Sequence, residues 1–320
     1  MNRSVSLDVL STYRTQLMGL AAIMILCCHA ESDGVSMPRC ISWLLSWGNY
    51  GVDLFLLLSG CGLFFSLRKG HSIGAWYKKR YARILIPYLL ISSIYFVYYC
   101  VVNNLDILEY ILLVSTIGFW TDHIGAWFVA LLIPLYAITP LYDCIYTKTK
   151  YKGVLTIVLI LLLSALSSIE TDNAVCRNIE FVVSRIPAYL IGFYIGDMML
   201  QGRRIRISYL LMILVGCVGL YVVLEPYGGL FQRLTLLVLP ITFIATMVVM
   251  ILKRSKILLL FGTISLESYL FNIYLGYIIT TQFSHLANLY GYIGIVIIGT
   301  LLSFAVHKVS ELIIDKVVKI

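Results

Sequence analysis

Residues 14–29 read Arg14-Thr-Gln-Leu-Met-Gly-Leu-Ala-Ala-Ile-Met-Ile-Leu-Cys-Cys-His29, an apolar run with an arginine at one end and a histidine at the other. A helix rises about 1.5 Å per residue, so these two side chains lie roughly 22 Å apart along the axis. This distance covers most of a bilayer core, which is about 30 Å thick. Ionisable groups at membrane depth are costly, so each is a functional candidate. The run predicts a membrane helix with a fixed cation near one face and a titratable imidazole near the other.

The whole chain has the composition of an integral membrane protein. Of its 320 residues, 60% are hydrophobic and only 12% are charged, with a mean hydropathy of +0.92. Soluble domains carry about 25% charged residues. No cleavable signal pattern precedes the first apolar run, and the loops are too short for a soluble domain or a nucleic-acid module. We predict one polytopic all-α membrane domain over residues 1–320 with about ten transmembrane helices. The apolar runs are 17–30, 45–67, 84–102, 126–146, 153–169, 181–200, 207–224, 234–252, 257–281 and 290–307.

The basic residues predict the orientation in the membrane. If the N-terminus is cytoplasmic, all but four of the 24 lysines and arginines lie in cytoplasmic connections or at the cytoplasmic ends of the spans. The positive-inside rule therefore places both termini in the cytoplasm. This topology accounts for the net charge of +8. The excess of basic residues therefore does not indicate a nucleic-acid partner. The four exceptions are Arg39, Arg177, Arg185 and Arg233.

The eight cysteines show no spacing typical of metal ligands, so we expect no metal site. Most of them fall in or beside apolar runs, where free cysteine packs as a small apolar side chain. Cys40 and Cys176 lie in loops predicted on the outer side, where pairing as a disulfide is one option.

Three further ionisable residues lie inside or at the edge of apolar runs. Asp53 lies in the second run, and a functional role and a structural ion pair fit it equally well. Glu267 lies in the ninth run with few polar neighbours in sequence, so it needs a partner in space. Arg185 lies at the start of the sixth run, at the predicted outer edge of the membrane.

Two arginines of the most basic loop are spaced to act together. Arg80 and Arg83 are three residues apart and would share one face of a helix. The guanidinium group matches phosphate oxygens in a two-pronged geometry, which suits a phosphorylated ligand. From the spacing alone, binding to anionic lipid headgroups is the favoured interpretation.

The longest connection on the predicted outer side contains the apolar stretch 107–120, interrupted by Glu109. It is short for a span, so we predict one re-entrant or interfacial helix. It leads into an aromatic region with Trp120, His123 and Trp127, which either belongs to the interfacial aromatic belt or stacks on sugar rings. At the other end of the chain, residues 306–320 are predicted to form an interfacial helix on the cytoplasmic face.

In their order along the chain, these stretches resemble the integral-membrane acyltransferase family 3, whose members are O-acyltransferases of surface polysaccharides, lipopolysaccharide and peptidoglycan-type glycans. The sequence departs from the family pattern at two positions. The family motif has an arginine followed, after ten intervening residues, by a histidine. Here the histidine is His29, the arginine position is occupied by Met18, and Arg14 lies one helical turn earlier. Asn272 stands where the family often has a histidine. The stretches that carry the resemblance are Gly19-Leu-Ala-Ala to His29, Gly51-Val-Asp-Leu-Phe to Gly60, Arg80-Tyr-Ala-Arg83-Ile-Leu-Ile-Pro87, Ala126-Trp127-Phe128 to Pro140, Arg185-Ile-Pro to Gly192 and Ile264 to Leu270.

The resemblance implies transfer of an acyl group, most often acetyl, from cytoplasmic acyl-CoA to a hydroxyl of a cell-surface polysaccharide or a lipid-linked glycan. It implies that His29 is the general base or accepts the acyl group itself, and that Asp53 or Glu267 orients it. The family location is a cell membrane, either a bacterial inner membrane or a plasma membrane. The CoA phosphates would be held by Arg80 and Arg83, with Arg14 as a substitute for the missing family arginine. The acceptor sugar would contact Trp120, His123, Trp127, Arg185 and Asn272.

A transporter of a glycan precursor or a small polar solute is the main alternative, because ten spans with embedded Asp53 and Glu267 suit it too. Transporters often contain inverted repeats and paired broken helices, and the sequence shows neither. A membrane scaffold without chemistry does not account for so many embedded ionisable groups. An enzyme should bind and slowly hydrolyse acyl-CoA, whereas a transporter should ignore it.

Overall fold

A computed structural model describes residues 4–70, 72–169, 171–224, 236–253 and 255–319, and most of them are helical. Arg233 and the predicted start of the eighth span lie outside the described residues. A short ribbon pairs β1 (Ser4–Ser6) with β2 (Arg204–Arg206). The helices are α1 (Val9–Thr12), α2 (Arg14–Ser32), α3 (Arg39–Ser46), α4 (Tyr50–Leu67), α5 (Ile73–Asn103), α6 (Ile107–Val114), α7 (Ile117–Asp122), α8 (Trp127–Lys148), α9 (Lys152–Leu166), α10 (Ala174–Val183), α11 (Ile186–Leu200), α12 (Ile207–Leu224), α13 (Val238–Ile251), α14 (Lys256–Thr263), α15 (Ser265–Gln282) and α16 (Leu289–Lys319), with single 3₁₀ turns at Trp47–Asn49 and Ser284–Leu286.

The chain is a multi-pass, all-α membrane protein. Within the described ranges, seven helical segments are long and apolar enough to cross a bilayer, or eight if α14 and α15 count as one broken span. Two shorter apolar helices, α9 and α13, add to these. Large apolar side chains such as Ile94 and Ile251 are exposed by 75% and 81%, as expected of lipid-facing positions. The count of about ten spans and the cytoplasmic termini stay predictions.

The ribbon constrains the topology. Its register places Ser4 opposite Arg206 and Ser6 opposite Arg204. Because paired strands share one side of the membrane, the segment before α2 and the connection before α12 lie on the same side. The positive-inside count predicts the same grouping, because it assigns both Arg14 at the start of α2 and the arginines 203, 204 and 206 before α12 to the cytoplasmic side.

Two helices are longer than the sequence analysis predicts. The expected interfacial helix at 306–320 is the continuation of α16, which has 31 residues and is therefore about 46 Å long, longer than the bilayer core. Helix α5 begins at Ile73, where the Ser72 hydroxyl caps the backbone N–H of Ala75 at 3.3 Å. The basic segment with Arg80 and Arg83 is thus helical, as their shared face requires.

Two apolar stretches are broken where one helix is predicted. The stretch 107–120 forms α6 and α7, because Thr116 takes a left-handed conformation with φ 68° that ends the first helix. The ninth span is interrupted at Ile264, between α14 and α15. The sequence analysis predicts neither break.

The described residues form two compact units. The first unit comprises residues up to Ala21, Tyr50–Gly70 and Thr139–Gly262. The second comprises Ala22–Asn49, residues 71–138 and Thr263–Ile320. The prediction of one polytopic domain over the whole chain stays a prediction.

In the first unit, helices α4 and α11 touch backbone to backbone. A Cβ on Gly60 would lie 2.2 Å from the carbonyl oxygen of Tyr189, and one on Gly192 would lie 1.9 Å from that of Leu57. Only glycine permits this approach, which is the common use of small residues in membrane helices. The Cys61 thiol donates to the Gly192 carbonyl at 2.9 Å, which adds a polar contact to the same interface.

In the second unit, helices α5, α15 and α16 surround a set of aromatic rings. Tyr95 stacks on Tyr274 with ring centroids 3.9 Å apart, and the Tyr274 hydroxyl is bonded to Ser92 at 2.7 Å. Near the start of α5, Tyr77 and Tyr81 donate hydrogen bonds to carbonyl groups of α8. These contacts fix the helices that carry the candidate active-site residues.

Candidate active site

His29 lies near the end of α2 in the second unit, where it contacts Asn272 of α15. The distance from its Nδ1 to Oδ1 of Asn272 is 2.7 Å. Asn272 is 2% exposed, and its Nδ2 lies 3.5 Å from the hydroxyl of Tyr292 on α16. The Tyr292 hydroxyl in turn donates to the carbonyl of Leu26, one turn before His29. The four groups form a chain that starts and ends on α2.

The chemistry of these groups fixes the direction of every bond. The Leu26 carbonyl can only accept, so the Tyr292 proton points to it, and the amide group facing Tyr292 must be the NH₂. Oδ1 of Asn272 therefore faces His29 and accepts the proton of Nδ1. His29 is thereby held as the Nδ1–H tautomer, and its Nε2 carries a lone pair. Among the described residues, Nε2 has no hydrogen-bond partner. The arrangement has the geometry of an oriented base.

Asp53 and Glu267 are the predicted orienting groups for His29, and these roles stay predictions. In the structure, the group at Nδ1 of His29 is the side-chain amide of Asn272. An amide fills that position, so the orienter is neutral. Substrate binding by Asn272 stays a prediction; in the structure its amide contacts His29 and Tyr292.

One helical turn beyond this pair, Asp33 lies against Gly276. A Cβ on Gly276 would lie 2.5 Å from Oδ1 of Asp33, so the carboxyl group occupies the space that a larger residue would need. Oδ2 of Asp33 is buried without a hydrogen-bond partner. This burial raises the pKa of Asp33 from 3.8 to about 7. A second titratable group thus lies close to the candidate base.

Glu267 has the partner that its position requires. Its Oε1 lies 2.8 Å from Nδ1 of His307 on α16, and its side chain is only 5% exposed. Nε2 of His307 lies 3.6 Å from the exposed Glu311. A carboxylate at Nδ1 holds the ring in one tautomer, as in Ser-His-Asp sites. The second unit therefore contains two oriented imidazoles, one held by an amide and one by a carboxylate.

The arginines expected to bind CoA phosphates lie on the first turns of α5. Arg83 is exposed and, among the described residues, forms no ion pair. Arg80 is half-buried. Both remain candidates for phosphate binding, and nothing in their environment distinguishes phosphate of CoA from that of a lipid headgroup.

The residues expected to contact the acceptor sugar lie around α7 and the start of α8. Trp120 and Trp127 are half-buried, and His123 is exposed in a left-handed conformation with φ 59°. The His123 ring lies 5.0 Å from that of Phe119. The backbone N–H of Phe128 donates to the hydroxyl of Tyr269 at 3.3 Å, which ties this region to α15. Sugar binding by these residues stays a prediction.

The remaining candidates belong to the first unit. Asp53 and Arg185 form an ion pair with Oδ2 and Nη1 2.7 Å apart, and each side chain is 2% exposed. This arrangement supports the structural interpretation of Asp53, and the roles predicted for both residues in the reaction stay untested. The Arg14 guanidinium lies over Gly62, where a Cβ would be 3.0 Å from its Nη2.

Three residues of this site are not predicted from the sequence, namely Asp33, Tyr292 and His307. His307 is an ionisable residue at the end of an apolar run, and the rule that singles out His29 applies to it as well. Asp33 lies four residues after His29 and so shares its helix face. Tyr292 gives no signal, because the chain contains 23 tyrosines.

Comparison with known families identifies the class of the protein. The chain matches the family model described as an acyltransferase domain over residues 16–308, and it belongs to acyltransferase family 3. The match includes helices of both units. No curated protein and no solved structure gave a match. The class of the protein is therefore that of a membrane acyltransferase, as the resemblance implied.

Proposed function

We propose that the protein transfers an acyl group, in the first instance acetyl, from acyl-CoA to a hydroxyl group of a cell-surface polysaccharide or a lipid-linked glycan. The observation that carries this proposal is the oriented His29. Family membership supplies the reaction class, and the Nδ1–H tautomer leaves Nε2 as a base of the kind that acyl transfer to a hydroxyl needs. Family membership also favours an enzyme over a transporter.

In the proposed reaction, Nε2 of His29 removes the proton of the acceptor hydroxyl as its oxygen attacks the thioester carbonyl. The carbon–sulfur bond breaks, and the CoA thiolate takes the proton back from His29. Nδ1 remains bonded to Oδ1 of Asn272 throughout, so the ring keeps its orientation while it is protonated. The same lone pair would serve if His29 first accepts the acyl group and then passes it to the hydroxyl.

The other roles follow the family resemblance. Arg80 and Arg83 bind the phosphates of CoA from the cytoplasmic side, and Arg14 contributes in place of the missing family arginine. The aromatic residues Trp120 and Trp127, together with His123, receive the sugar on the outer side. The protein then resides in a bacterial inner membrane or another plasma membrane, with about ten spans and both termini in the cytoplasm.

The test measures thiol release from acetyl-CoA and acetyl transfer to glycan by the full-length protein in nanodiscs. His29→Ala should lower the transfer rate by about 10²- to 10⁴-fold, the usual contribution of a general base. His285→Ala is the matched control, because His285 is exposed in a 3₁₀ turn. Transfer that survives His29→Ala would move the role to another group, with His307 the next candidate. A protein that binds no acyl-CoA at all would favour the transporter.

A further inference from the structure

A cavity of about 360 Å³ lies in the first unit, between the start of α9 and the end of α11. This volume is at the lower end of the range of small-molecule pockets, about 300–1,000 Å³. The cavity lies at the ends of membrane helices, on the side predicted to be cytoplasmic. Its lining includes three cations, Lys150, Lys152 and Arg203, and one acid, Asp197.

The acid neutralises only one of the three cations, because it carries a single negative charge and is paired with Lys152. Nζ of Lys152 lies 3.2 Å from both carboxylate oxygens of Asp197. Oδ2 also accepts from the Tyr146 hydroxyl at 3.2 Å and from the Gln201 amide at 2.9 Å. Asp197 is 5% exposed, and the buried carboxylate is hydrogen-bonded to Lys152, Tyr146 and Gln201 at the base of the cavity.

Two positive charges then remain without a counter-ion. Lys150 and Arg203 are exposed, and neither forms an ion pair within the described part of the chain. Nζ of Lys150 lies 5.5 Å from the ring centroid of Tyr151, which holds the side chain beside the cavity. The first backbone N–H groups of α9, at Lys152 and Gly153, have no side-chain cap and add donors at the same place.

A phosphate group matches this set of donors in charge and in the number of acceptor oxygens. We propose that the cavity lined by Lys150, Lys152 and Arg203 binds a phosphate group, carried either by an anionic phospholipid or by a soluble ligand. In the sequence these cations contribute only to the topology signal. The structure adds that they share one cavity and that its acid is already engaged.

The experiment compares two double variants of the full-length protein. Lys150→Gln with Arg203→Gln removes the two unpaired charges and leaves the Lys152–Asp197 pair intact. Lys148→Gln with Lys253→Gln is the matched control, because both lysines are exposed and lie outside the cavity lining. Thermal unfolding without ligand verifies that both variants fold.

Two probes distinguish the sources of the phosphate. Inorganic pyrophosphate is titrated calorimetrically into protein in phosphatidylcholine nanodiscs, and retention of phosphatidylglycerol is measured by native mass spectrometry. We expect one of the two probes to bind the unmodified protein. Its affinity or retention should be about tenfold lower in the Lys150→Gln, Arg203→Gln variant and unchanged in the control variant. The reason is the loss of two charge-assisted hydrogen bonds, which are screened by water. Equal binding by both double variants, or no binding of either probe, would overturn the proposal. Neither readout depends on acyl transfer.

Discussion

Replacing Asn272 with leucine tests whether His29 acts through its oriented Nε2. The two side chains have similar size and shape, and Asn272 is fully enclosed, so leucine should fit. The substitution removes the acceptor at Nδ1 of His29. It leaves the bond from the Tyr292 hydroxyl to the Leu26 carbonyl in place. The imidazole then has no partner that selects its tautomer.

The bond between Nδ1 and Oδ1 matters most when the ring is protonated in the transition state. A hydrogen bond to a charged group contributes about 1.5–3 kcal/mol. Because each 1.36 kcal/mol corresponds to a tenfold change in rate, kcat should fall roughly 13- to 160-fold in Asn272→Leu. KM for the glycan should stay unchanged, because Asn272 acts through His29. Tyr292→Phe should lower kcat roughly twofold, because the Asn272 amide is kept but can then adopt two orientations.

The assay is acetyl transfer to the glycan acceptor under saturating acetyl-CoA, with thermal unfolding as a measure of folding. Tyr290→Phe serves as the control for Tyr292→Phe, because Tyr290 lies on the same helix and is 85% exposed. An unchanged kcat in a folded Asn272→Leu protein would refute the assignment of His29 as the base. A rise in KM alone would instead show that Asn272 binds the acceptor, as the family resemblance implies.

Three further predictions concern residues other than His29 and Asn272. Asp53→Leu or Arg185→Met alone should lower the free energy of unfolding by about 3–5 kcal/mol, because each removes the ion-pair partner of a buried charge. The double variant should recover most of this loss in a denaturant titration. Arg80→Ala and Arg83→Ala should each weaken acetyl-CoA binding by about 1.5–3 kcal/mol by calorimetry, and unchanged binding would contradict the phosphate role. Burial raises the pKa of Asp33 from 3.8 to about 7, so the folded state binds the extra proton and stability should fall as pH rises between these values. Asp33→Asn should flatten that slope in thermal unfolding across pH.

Sequence reasoning finds which residues are embedded but not which residues meet. His29, Asp53, Glu267 and Arg185 are all identifiable, because an ionisable group in an apolar run is conspicuous. Their partners depend on how distant helices pack. His29 and Asn272 are 243 residues apart in the chain, and no local pattern links them.

Helix breaks are the second feature that composition does not reveal. The charged residue in the apolar stretch 107–120 is Glu109, yet the first helix ends just before Thr116. The break at Ile264 follows Gly262 by two residues, but a single glycine inside an apolar run does not by itself predict the end of a helix. Both depend on tertiary packing, which overrides the weak local preferences of threonine and isoleucine. Spans and their order are therefore more predictable than their shape.

The departure from the family pattern at residue 272 gains a physical meaning from the hydrogen-bond chain. A histidine there could both donate and accept a proton, so His29 would share its proton with a second titratable ring. An amide cannot take up the proton, and Tyr292 fixes which of its ends faces His29. Proton transfer in the proposed reaction therefore ends at His29 and is not relayed along α15. Glu267 and His307 form a second hydrogen-bonded pair in the same unit, in which a carboxylate faces the imidazole.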